Sequence, residues 1–420
     1  MKQSLKNIEN IYAWIFSIFL FVFIVAPKIS TLILILAVLY FVIHLFQKKI
    51  EFQLNKPSIF LVVLFCLYLI WILFSRHYEI AFKKLETKLS LLIFPLLFSF
   101  KLNDISSFLR KISIGLILGL ISTSFFGIVN GFLLYHQTSS FVSFLSSGIS
   151  PIHHPTYLVV FHVVSCFLAV YGYKSAWKLF TRNRVLFYLI FSLIIQFLCL
   201  SLAGLLFSFM MIFIMSMVFL KKRLSTKYFI ASSVLLPLSL VIIFLKVPYF
   251  EGEFHGATKY IETYMSNPNG FVLSRKKDIS GSEARLIMWT VSVQEIIKNP
   301  MGVGSGNVDE VLFNNLNDKG LIEFAKKSYN PHNQFFQTTL EIGVLGLLTL
   351  IIGLSFSVYY AIKSSFWPFL FLVINLIFNS FFESMLQRQS GVVFYSFFIC
   401  LFSLICIQKL KDENISNCSL

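Results

Sequence analysis

Twelve apolar runs divide this chain, at about 9–26, 30–46, 57–74, 89–100, 110–134, 155–172, 184–200, 203–220, 227–245, 338–362, 366–380 and 391–408, separated by Pro, Gly, Ser or charged clusters. A helix that crosses a bilayer takes about 20 mostly apolar residues, and inside lipid a helix satisfies its own backbone donors and acceptors. Of the 420 residues 57% are hydrophobic and 13% charged, with a mean hydropathy of +0.80, which excludes an ordinary soluble fold. The runs predict an all-α polytopic membrane protein with about twelve transmembrane helices in one integrated domain. Helices 1–9 fall in residues 1–245, one large helical loop in 246–337, and helices 10–12 with a tail in 338–420. The run at 89–100 is short for a full crossing.

The formal net charge is +16. In a soluble protein that excess would raise nucleic-acid binding. Here the basic residues lie between apolar runs, where they set topology and meet lipid headgroups, so membrane lipids and not nucleic acid are the expected partners. With the N-terminus inside, the inside segments hold 19 Lys and Arg and the outside segments 16, of which 10 lie in 246–337. Long loops translocate largely regardless of charge. Without that loop the count is 19 to 6, which predicts two cytoplasmic termini and an outward-facing loop. Lys2 and Lys6 precede the run from Ile11 to Val25, and Ile24-Val25-Ala26 lacks a small-x-small cleavage pattern, so this run reads as a retained first crossing. The six cysteines are scattered singly, with no disulfide framework and no metal spacing.

The loop carries 10 basic and 10 acidic residues, a balance that points to a folded cap. Ser280 and Glu283 have capping-box spacing ahead of a helix that stops at Asn299-Pro300. Leu286, Trp289, Val293 and Ile297 recur at helical spacing, a face that can lie on the membrane surface or against the bundle. Arg285 and Trp289 share a face at i, i+4. Next comes the glycine-rich Pro300-Met301-Gly302-Val303-Gly304-Ser305-Gly306, either a turn that lets backbone N–H groups approach an anion or a flexible end to the helix; its spacing is that of neither a P-loop nor a dinucleotide site. Tyr329-Asn330-Pro331-His332-Asn333-Gln334 precedes the tenth crossing, whose start is Glu341-Ile342-Gly343-Val344-Leu345-Gly346. A histidine held by a proline turn beside Asn333 at the membrane surface is placed for proton transfer near neutral pH.

In order, Arg285-x-x-x-Trp289, Pro300-x-Gly302-x-Gly304, His332-Asn333 and Glu341-x-Gly343-x-x-Gly346 resemble the O-antigen ligase and polymerase superfamily of bacterial envelope glycosyltransferases. The motif spans about 60 residues; the rest of the resemblance is architecture. It implies an inverting, metal-independent transferase without cofactor, in the bacterial inner membrane with a periplasmic site. Such an enzyme takes a glycan from undecaprenyl-pyrophosphate and places it on an acceptor hydroxyl, on the lipid A-core or a growing glycan. The leaving pyrophosphate needs fixed cations, for which Arg285 is the choice. The attacking hydroxyl needs a base, for which His332 is the choice. Trp289, Gly304, Asn333 and Glu341 are supporting residues.

Arg76, Lys83, Lys84 and Lys88 read as snorkelling headgroup contacts, or, for Lys88 and Lys84, as added charge at the carrier site. Many relatives carry a basic residue at the outer end of a middle crossing, where this chain has Ser201-Leu202-Ala203-Gly204; Lys88 or Lys84 would have to substitute. His153-His154-Pro155 lacks the partners of a metal site and reads as a loop or acceptor contact, and His255 as a solvated residue. A ligase is the first reading and a polymerase on the same carrier the second, with a lipid-linked glycan transporter as the alternative of another class.

Overall fold

The computed structural model describes residues 2–47, 49, 52, 55–221, 225, 227–228, 232–233, 238, 258, 260–275, 279 and 281–418. The ninth apolar run, His255 and Ser280 lie wholly or largely outside them. Among the described residues the secondary structure is helical throughout, with no strand. Seven helical segments are long and apolar enough to cross a membrane. They lie in α1 (Lys2–Val25), α2 (Pro27–Phe46), α3 (Ile59–Trp71, extended by a 3-10 turn at each end), α6 (Ile105–Thr138), α7 (Pro155–Lys174), α14 (Gln334–Lys363) and α16 (Gln389–Cys418). Between them stand α4 (Tyr78–Thr87), α5 (Ser90–Leu97), α8 (Arg182–Leu198), α9 (Leu202–Lys221) and α15 (Trp367–Ser380). The protein is an all-α polytopic membrane protein.

Chemistry sets the breaks. Pro27 has no N–H to donate and starts α2 directly after α1. Asp104 caps α6 by accepting from Ser107 N at 2.8 Å. Gly115 of α6 lies against the backbone of Ser17, where any Cβ would overlap the Ser17 carbonyl, so α1 and α6 pack backbone to backbone as small residues permit in lipid. Deeper in the bundle His162 of α7 is bonded on both ring nitrogens, by Ser124 of α6 at 3.1 Å and Ser192 of α8 at 3.0 Å. Gln196 continues to Ser192 and Ser208, tying α9 into the same buried network.

The run at 89–100 does not make a full crossing. α5 has eight residues, about 12 Å of helix, and its end is held beside the start of α3 by Asn55 Nδ2 donating to Phe98 O at 2.5 Å. Lys88, at its N-terminal end, therefore sits inside the bundle with 1% of its side chain exposed.

A second, smaller core forms the cap, from α10 (Pro268–Ser274), α11 (Gly281–Lys298), α12 (Val308–Asp318), α13 (Ile322–Ala325) and the start of α14. Its helix α11 is apolar on more than one face. Ala284, Ile287, Met288 and Val291 are buried in the cap core, whereas Val293 and Ile297 of the expected stripe are exposed. Contact with Val308, Leu312 and Leu340 buries the first face and leaves Val293 and Ile297 turned outward, compatible with a face on the membrane surface.

Candidate active site

The cap is fastened to the bundle at one junction, and the glycines make it possible. α14 breaks at Ile342 and at Gly343, whose φ of 70° and ψ of −171° belong to a region essentially reserved for glycine. Into that break dock Pro300 to Gly304: Val303 N donates to Leu340 O at 2.8 Å, Gly304 N to Glu341 O at 3.1 Å, and Val344 N to Pro300 O at 3.0 Å. A Cβ on Gly343 would lie 2.5 Å from the Met301 carbonyl carbon, and Gly302 and Gly304 have φ of 81° and 85°. Trp71 Nε1 donates to Met301 O at 2.7 Å, and Gly306 N to Ser75 Oγ at 3.2 Å. The donors of Gly302, Val303, Gly304, Gly306 and Asn307 are thus all spent on protein acceptors, so this turn joins cap to bundle instead of cradling an anion. Gly343→Ala should destabilise the protein by about 1–3 kcal/mol from backbone strain, with steric overlap on Met301 added; thermal unfolding followed by tryptophan fluorescence measures it.

The same junction explains the two lysines. Lys84 Nζ donates to Ser305 O and pairs with Asp309, both at 3.0 Å. Lys88 Nζ lies 3.7 Å from Glu341 Oε2, 3.2 Å from Gln387 Oε1 and 4.5 Å from the centre of the Tyr68 ring. Gln387 Nε2 donates to Glu341 Oε2 at 2.7 Å. Glu341 is fully buried. Both lysines are engaged where cap, kink and bundle meet.

A polar cluster around His332 lies near this junction. His332 has φ of 46°, a left-handed conformation that histidine adopts more readily than most residues, and its backbone N–H donates to Asn330 Oδ1 at 2.8 Å. That bend turns its ring toward the link between α15 and α16. His332 Nδ1 lies 3.2 Å from Glu383 Oε2. A carboxylate only accepts, so in the neutral ring Nδ1 carries the proton and Nε2 the lone pair. Burial raises the Glu383 carboxyl, but the hydrogen bond and charge of His332 and the charge of His154 outweigh it and hold the group below its ordinary value. Asn333 has a structural part: its Oδ1 accepts from Phe335 N and Phe336 N, capping α14, and its Nδ2 donates to Phe381 O at 3.3 Å. Gln334 Oε1 accepts from Leu386 N at 2.6 Å, which fixes the same link from the other side.

His154, the residue before α7, lies within electrostatic reach of Glu383, Arg388, His332 and Arg285. Burial first, with the two arginines opposing protonation, lowers its pKa. Arg285 is half-buried, and its Nε has no hydrogen-bond partner. Trp289, one turn on, meets the Phe336 ring edge-to-face at 6.4 Å. Ser201 is a neighbour of this region, its Oγ donating to Thr156 Oγ1 at 3.2 Å.

His153 points the other way. Its Nε2 donates to Ile24 O and its Nδ1 accepts from Ser390 Oγ, each at 2.9 Å, and burial drives its pKa from 6.5 to about 4. Because the folded value is the lower one, the folded state resists protonation. Stability is full above 6.5 and falls as pH drops toward about 4, at about 1.4 kcal/mol per unit. His153→Gln should flatten that part of the melting-temperature profile, measured from pH 4 to 7.5.

The sequence suggests Arg285 and His332 as site residues, and both act electrostatically on His154. It missed Glu383 and Arg388. The available signal was their position: they are the charged residues of the short link between the last two apolar runs.

No curated protein matches the chain. Residues 187–351, which run from α8 through the cap to the kinked α14, match the family model described as O-Antigen ligase. This match covers Arg285, the glycine junction and His332, so that part of the chain is similar to the O-antigen ligase family.

Proposed function

We propose that the chain is a metal-independent glycosyltransferase that moves a glycan from undecaprenyl-pyrophosphate to an acceptor hydroxyl, with a lipid A-core sugar as acceptor. The observation that carries this reading is the His332–Glu383 pair at 3.2 Å, with Arg285 and Arg388 within electrostatic reach of the neighbouring His154. His332 Nε2 takes the proton of the attacking hydroxyl as its oxygen bonds to the anomeric carbon. The bond from that carbon to the phosphate oxygen breaks from the opposite side, inverting the centre. Glu383 stabilises the imidazolium, a role a fixed carboxylate fills well.

The leaving pyrophosphate is held by Arg285, with Arg388 as the second cation. This assignment replaces the expected Lys84 and Lys88, which are engaged with Asp309 and Glu341. Arg388 also offers the positive charge that Ser201 lacks. In this reading the site faces the periplasm from the inner membrane and both termini are cytoplasmic, in line with the distribution of Lys and Arg.

The deciding experiment is the lipopolysaccharide ladder of a strain lacking the gene, run beside its pool of carrier-linked glycan. Polymer accumulating on the carrier while the core stays bare is the expected result. A core bearing a single repeat unit would make the protein a polymerase, and an unchanged ladder with no accumulation would overturn the transfer reading.

A further inference from the structure

At the end of the bundle away from the cap, α8 packs on α7 and diverges from α6, opening a groove of about 590 Å³. Its floor is Ala169 of α7, and its walls include Ile114 and Ile121 of α6 and Val185, Tyr188 and Phe191 of α8. The small floor residue is what leaves the wedge unfilled. Its lining is apolar except at the mouth, where Asn183 and Arg184 stand at the start of α8. Arg110 lies one turn before Ile114 on α6, so the two walls each carry an arginine near one end of the groove.

Basic residues predominate there, with Glu9 and Asp104 as acidic neighbours of Lys111. Between Asp104 and Glu251 the sequence contains no acidic residue, while Arg110, Lys111, Lys174, Lys178, Arg182 and Arg184 all fall within it. Lys111 is bonded to Asn10. Among the described residues neither Arg110 nor Arg184 has an ion-pair or hydrogen-bond partner. An apolar groove with Arg184 in its lining and Arg110 one helical turn beyond Ile114 of its wall matches one kind of molecule, a hydrocarbon chain ending in an anion.

We propose that this groove binds one anionic phospholipid of the leaflet opposite the cap, with an acyl chain between α6 and α8 over Ala169 and its phosphate between Arg110 and Arg184. The bound chain fills the wedge and completes the packing of α8, whose far end carries Leu198, the acceptor for Ser146 N at 2.9 Å. The site is separate from the His332 cluster and takes a structural lipid, not a reactant.

The test is photolabelling of the full chain in phosphatidylcholine nanodiscs, using photoreactive phosphatidylglycerol and photoreactive phosphatidylcholine in parallel. The phosphatidylglycerol probe should mark peptides of α6 and α8 in preference to the zwitterionic probe, and Arg110→Gln and Arg184→Gln should each weaken that preference about fivefold. Ala169→Phe should reduce labelling of the groove by both probes. Should that variant fail to fold, the two glutamine variants, at exposed or half-exposed positions, decide the matter. Equal labelling by the two probes, preference unchanged in both glutamine variants, or suppression of labelling by inorganic phosphate at physiological salt would each overturn the proposal.

Discussion

His332→Ala should lower glycan transfer by roughly 10²–10⁴-fold, the usual contribution of a positioned general base, while the protein still folds and binds its lipid carrier. The ring is partly exposed and its one side-chain hydrogen bond is to Glu383, so its loss opens no cavity in either core. Glu383→Gln should produce a smaller loss at the same step, because an amide can still touch Nδ1 but cannot stabilise an imidazolium. The measurement is transfer by purified protein in nanodiscs, with kcat and KM resolved for the acceptor and carrier binding followed separately. A fall in kcat with unchanged carrier binding is the expected pattern. Transfer that survives in His332→Ala would remove the base from the mechanism, and a variant that unfolds would show the histidine to be structural instead.

The largest effect on stability is expected at Lys88. Removing its ammonium in Lys88→Ala leaves Glu341 fully buried without its cation, and breaking a buried pair in this way costs about 3–5 kcal/mol. Replacing both partners, in Lys88→Met with Glu341→Gln, should recover much of that loss, because no charge is then left stranded. Thermal unfolding of the single and double variants in one detergent checks this. The same comparison separates the two roles assigned to Lys88. A lysine that held the donor pyrophosphate would lose transfer equally in the single and the double variant, whereas a lysine that holds the junction should regain activity along with stability. The regain should be visible because Gln387, bonded to both Lys88 and Glu341, belongs to the same link as Glu383 and Arg388.

Much of this fold could be read in advance because lipid simplifies the problem. Runs of about 20 apolar residues become helices since no other backbone conformation satisfies itself in hydrocarbon, and the runs at 9–26, 30–46, 57–74, 110–134, 155–172, 338–362 and 391–408 correspond to helical segments of crossing length. The weak points were those where one-dimensional pattern carries least information. On α11 several faces are apolar, and only its partners in the cap core choose which of them is buried there. The glycines of 300–306 were legible as a special turn. Their purpose was not, since Gly343 is the surface they dock on and lies some forty residues further along.

The sequence by itself determined the solvent, the helical class and the position of the cap between apolar runs, and it suggested Arg285 and His332 as the groups to propose for the site. Each of these follows from local composition or from a residue's own chemistry. Tertiary structure decided the partners: that His332 meets Glu383, that Arg388 joins Arg285 around His154, and that Lys88 is engaged with Glu341. These contacts join positions up to about 250 residues apart. Which carboxylate a histidine or lysine finds depends on how helices pack across the bundle, and that packing is set by small residues and kinks whose effects add up only in three dimensions.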